Sequence, residues 1–101
     1  MAKNERVSKI ENSILRELLE AGEDSVSGLY AASSKRHGFS KAEFAGALRN
    51  LLQWDFVRLV VRRESELRPV EASRLSAWLT GAESEVLWVL LCPKGGEFLQ
   101  R

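Results

Sequence analysis

The sequence predicts an α+β domain, mainly helical, in which three helices lead into two antiparallel strands with a further helix between them. Three observations carry that expectation. Apolar residues recur at three- and four-residue steps through residues 4–53. The stretch KAEFAGALRNLLQWDFVRLVV, Lys41–Val61, then changes across Asp55 from a helical stripe to a β-like run. A second strand-length apolar run, VLWVLLC, follows at 86–92 and stops at Pro93.

The first helix is expected from Asn4 to Ala21, with Val7, Ile10, Ile14, Leu18 and Ala21 on one stripe and Gly22 as its stop. The second begins at Asp24 or Ser25, either of which suits an N-cap. It turns Val26, Leu29 and Tyr30 inward and ends near His37–Gly38. Ser40 then caps a third helix, and Glu43 three residues later completes a capping box. Steps of about 100° per residue place Phe44, Ala47, Leu48, Leu51 and Leu52 on one side of this helix. Ala42, Glu43, Gly46, Arg49, Asn50 and Gln53 fall on the other. Asp55 tolerates the left-handed geometry of the turn that follows.

Strands are expected at about Val57–Arg63 and Glu85–Cys92. The intervening stretch is too long for a tight hairpin. Within it, Leu75, Trp78 and Leu79 stand at helical spacing between Pro69 and Gly81, so a helix is expected in an insertion at about 66–84. Pro93 opens a final helical turn, Lys94–Gln100.

The 101 residues, 45% of them hydrophobic and free of low-complexity tracts, suit one domain spanning 1–101. The net charge is only +1, but it is unevenly spread: residues 35–74 hold nine basic and five acidic side chains, a local +4. One cysteine, Cys92, rules out an internal disulfide and suits a reducing cytoplasm. With His37 as the only histidine, no zinc site or Cys–His pair has its ligands, and Gly95–Gly96 lacks the P-loop pattern. No enzyme, metal or cofactor is expected. The N-terminus MAKNERVSK lacks a signal-peptide core, and no apolar run approaches the ~20 residues that span a bilayer, so no membrane partner is expected.

Three segments resemble the winged helix-turn-helix superfamily, in particular small bacterial regulators. ALRNLLQWDFVRLV looks like the family's third helix and first wing strand, SVSGLYAASSKRHGFSKAEF like its helix-turn-helix, and VLWVLLCPKGGEFL like its closing strand, turn and last helix. Asp55 stands where the family usually has a turn glycine, Cys92 where it usually has a hydroxyl cap, and the insertion lengthens the wing. The resemblance implies a winged helix: a three-helix core and a two-stranded antiparallel wing, here with a helix inserted in the wing. The sequence stops at Arg101, short of the terminal helix by which many members dimerise, which implies a monomer or weak homodimer.

The same resemblance implies double-stranded DNA as the partner and transcription regulation as the role. The third helix would lie in the major groove, with Arg49 on guanine and Asn50 or Gln53 on adenine. Ala42 and Gly46 would allow close approach, and a mid-helix glycine costs about 1 kcal/mol against alanine unless something is gained. Lys35, Arg36, Ser40 and Lys41 flank the turn between helices, and Arg58, Arg62 and Arg63 lie on the first wing strand, placed for phosphates. Against each single charge stands the ordinary role of a solvated face, and Glu43 would repel phosphate. The alternative is a protein-interaction module on the same fold, with Trp78 of the inserted helix offered to a protein partner.

Overall fold

The computed structural model describes residues 9–99. Its elements are α1 (Lys9–Ala21), β1 (Glu23–Ser25), α2 (Val26–His37), α3 (Lys41–Gln53), β2 (Val57–Arg63), β3 (Glu66–Pro69), α4 (Arg74–Thr80), β4 (Leu87–Leu91) and α5 (Pro93–Leu99). The expected start of the first helix, Asn4–Ser8, lies outside the described residues.

Local chemistry sets the helix ends. Ser25 caps α2 by accepting from Gly28 N–H, and Gly38 closes it with φ 72°. Ser40 and Glu43 form the capping box of α3, each side chain accepting from the other's backbone N–H. After α3 the chain reverses through Asp55, held at φ 61°. Non-glycine residues pay about 1–2 kcal/mol for that conformation, and aspartate less than most.

The α+β class, mainly helical, is as expected, but the two-stranded wing is not what forms. A four-stranded antiparallel sheet runs in the order β1-β4-β2-β3. The expected strands β2 and β4 pair along Val57–Val61 and Leu91–Leu87. β1 adds to the outer side of β4, and β3 to the outer side of β2 through a two-residue turn, Glu64–Ser65. Neither addition carries apolar alternation. β1 reads Glu-Asp-Ser, and all four residues of β3 are exposed. Such edge strands are held by backbone pairing, and charge and proline blunt their free sides against further association.

One core unites the helices with the inner face of the sheet. Ile14, Leu15 and Leu18 of α1, Leu29 of α2, Phe44, Leu48 and Leu51 of α3, and Leu59, Val61, Leu87 and Val89 of the sheet are buried together. Leu75 of α4 joins them, so the insertion is part of the core. Its ends are fastened by ions: Arg74 grips Glu83 at 2.5 and 2.6 Å and reaches Glu85 at 3.1 Å, while Arg63 binds Glu85 at 2.7 Å. Gly95 brings α5 against the start of β2, where any Cβ would collide with the Phe56 carbonyl oxygen. Cys92, expected to end its strand, is half-buried just beyond β4.

Candidate nucleic-acid interface

The capping box fixes where α3 starts, and the apolar stripe fixes which side faces the core. Ala42, Glu43, Gly46, Arg49, Asn50 and Gln53 are all exposed, as the 100° spacing predicts. A Cβ added at Gly46 would meet nothing within 4 Å, so no other part of the described domain packs on that point. Ala45, between the two faces, is buried as well.

Both flanks of the exposed strip are occupied by the domain itself. On one side Asn50 donates its amide to buried Glu11 Oε2 at 2.8 Å. On the other, α4 lies along α3. Arg49 donates to Ser76 Oγ at 3.1 Å, and the Lys41 ammonium stands 4.5 Å from the centre of the Trp78 ring. Trp78 is itself half-buried, its ring edge-on to Tyr30 and tilted against Phe44, and its indole N–H bonded to Ser27. The side chain expected to await a protein partner is thus spent largely on holding α4 to α2 and α3.

The basic residues divide into paired and open groups. Arg36 pairs with Glu17 at 3.2 Å, Arg62 with Glu23 at 3.0 Å, and Arg63 with Glu85. The Arg62 guanidinium also covers the Trp88 ring, 4.8 Å from its centre. Hydrogen bonds from Arg63 and then Arg74 hold the Glu85 carboxyl at about 2, and Arg74 likewise pulls Glu83 below the usual carboxylate range. Lys35 and Arg58 are exposed and have no ionic or hydrogen-bond partner among the described residues. Ser40 is occupied by its capping bonds.

Between α3, β2 and the chain that leaves β3 lies an open cleft of about 430 Å³. Arg49, Gln53, Asp55 and Arg58 supply its polar lining, and Leu52, Val57, Leu59, Pro69, Val70 and Ala72 its apolar lining. The cleft thus gathers three of the expected DNA contacts, Arg49, Gln53 and Arg58. It does not gather Arg36, Arg62 and Arg63, which belong to separate ion pairs elsewhere.

No known protein family, curated protein or solved structure matches the chain. Among the described residues, no helix is long and apolar enough to cross a membrane.

The cleft was not foreseeable from residue spacing. Its far wall, Pro69–Ala72, is brought beside α3 only by the β2–β3 hairpin, and the single signal for that hairpin is the short run Glu66–Pro69 ending in proline.

Proposed function

We propose that this chain is a winged-helix DNA-binding domain of the regulatory kind, reading the major groove of double-stranded DNA with α3. The observation that carries the proposal is the open strip of α3. Gly46 has free space above it, with Ala42 on the preceding turn, Gln53 beside it, and Arg49 and Asn50 each giving one bond to the domain and keeping further hydrogen-bonding capacity. Small residues at the centre and hydrogen-bonding side chains around them suit the approach to base edges. The antiparallel pairing of β2 with β4 behind three helices fits the same fold. Lys35 and Arg58 are the cations most available for phosphates, because pairing to an internal carboxylate lowers what Arg36, Arg62 and Arg63 can give.

The test is fluorescence anisotropy with a mixed-sequence duplex, titrated with salt. The expected result is binding that weakens steeply as salt rises, since phosphate contacts release counterions. Arg58→Ala should weaken binding to all sequences alike, and Gly46→Gln, at a point where the fold has room, should block approach. A folded sample that ignores the duplex at the lowest salt would overturn the proposal.

A protein-interaction module is the second reading, and one observation favours it: three of the arginines expected on phosphates are paired at the surface with carboxylates of the domain itself. Under it, the duplex experiment gives no binding and the Arg58 and Gly46 substitutions are silent.

A further inference from the structure

The open cleft beside α3 is large enough to take a small molecule. Its volume of about 430 Å³ lies within the range of about 300–1,000 Å³ common for ligand clefts, and its lining mixes an apolar wall with a few polar groups. Leu52, Val70 and Ala72 are half-buried walls above a floor of buried Val57 and Leu59. Arg58 stands at the side with no ionic partner, whereas Arg62 and Arg63 on the same strand are both paired. Arg49 spends one bond on Ser76 and keeps its other donors.

Strand register adds a backbone donor. In an antiparallel ladder the hydrogen-bonding direction alternates along the strand. The two-residue turn makes Arg63 and Glu66 a hydrogen-bonded pair, so Val61 and Leu59 also face the β3 side, and Val70 N–H does donate to Leu59 O at 3.0 Å. Val57 is next in that series. The chain has by then left the sheet for α4, so β3 supplies no partner to Val57, whose N–H and C=O are turned by this alternation to the side where the cleft lies.

Charge narrows the ligand. Two arginines and Asp55 leave the lining with one net positive charge, which a single acid group balances and a polyphosphate exceeds. We propose that this cleft binds a small amphipathic acid, one carboxylate on an apolar body. The carboxylate takes charge-assisted hydrogen bonds from Arg58 and Arg49, with Val57 N–H within the same space, and the body lies on Leu52 and Val70. Arg49, Gln53 and Arg58 also serve the DNA-binding proposal, but the ligand site does not depend on it.

Amide chemical-shift mapping tests this without DNA, using sodium octanoate, 1-octanol and inorganic phosphate as probes. Octanoate should move the amides of Leu52, Val57, Leu59 and Val70 saturably. Octanol should bind about tenfold more weakly, as should octanoate to Arg58→Gln, since losing one charged hydrogen bond costs at least that factor. Arg49→Gln provides a second variant, and the spectrum itself reports whether each remains folded. Octanol or phosphate binding as tightly as octanoate, shifts confined to other surfaces, or no shifts at all would overturn the proposal. Because no duplex is present, failure to bind DNA leaves the result untouched.

Discussion

Trp78 donates its indole N–H to Ser27 Oγ at 2.9 Å, joining residues 51 positions apart. The bond fixes α4 across the start of α2, with Tyr30 edge-on to the ring, Phe44 tilted against it and Lys41 over it. Trp78→Ala should therefore lower stability by about 3 kcal/mol, near the low end for a large aromatic because the ring is only half-buried. Urea denaturation measures it, and an unchanged midpoint would show that α4 rests on the domain without supporting it.

Leu48 is fully buried at the centre of the α3 stripe. Leu48→Ala should cost roughly 2–5 kcal/mol, the range for a large-to-small change in a packed core. The thermal midpoint is the readout, and no shift would mean that α3 presents a different face to the core.

Gly46 sits mid-helix with nothing near its missing side chain. Gly46→Ala should raise stability by about 1 kcal/mol through helix propensity alone. The same variant, measured by anisotropy, separates two reasons for a glycine there: close approach of DNA predicts weaker binding despite the firmer fold.

Glu64 and Ser65 both adopt positive φ, 50° and 72°, as a type I′ hairpin requires. Neither residue is suited to it. Ser65→Gly should stabilise the protein by about 1 kcal/mol, the left-handed penalty less the entropy that glycine loses on folding. Chemical denaturation that shows a loss instead would place another constraint on that turn.

The ion cluster predicts an acid response. Hydrogen bonds from Arg63 and Arg74 lower Glu85 from the ordinary 4.5 to about 2, and Arg74 lowers Glu83 as well. A carboxylate lowered on folding contributes stability above its unfolded value and loses it as pH falls through its folded one. The urea midpoint should thus decline between about pH 4.5 and 2, and Glu85→Gln should flatten part of that decline. A parallel decline in the variant would mean that the cluster contributes nothing; its exposed members are screened by solvent.

Much of the frame was legible in the linear order of residues. Ser25, Ser40, Glu43, Gly38 and Asp55 act within one helical turn or one reversal, so their roles follow from local hydrogen bonding and backbone sterics. The faces of α3 were legible too, because period 3.6 alone separates Leu48 from Gly46. The edge strands β1 and β3 were not. Their side chains lack apolar alternation, and pairing with a distant strand is what makes them strands.

By itself, then, the sequence determined the three principal helices, the two central strands and the exposed strip of α3, each set by interactions between near neighbours. Only the tertiary structure decided how the charges and aromatics are spent. Arg36, Arg62 and Arg63 look equivalent to Arg58 along the chain, yet their carboxylate partners are brought from other elements by the sheet and the α1–α2 packing. Trp78 likewise meets Ser27, and Arg49 and Arg58 come to line one cleft with Val70 and Ala72, only once the insertion folds back on α3. Side chains far apart in sequence become neighbours through burial of a shared core, and no local pattern encodes that contact.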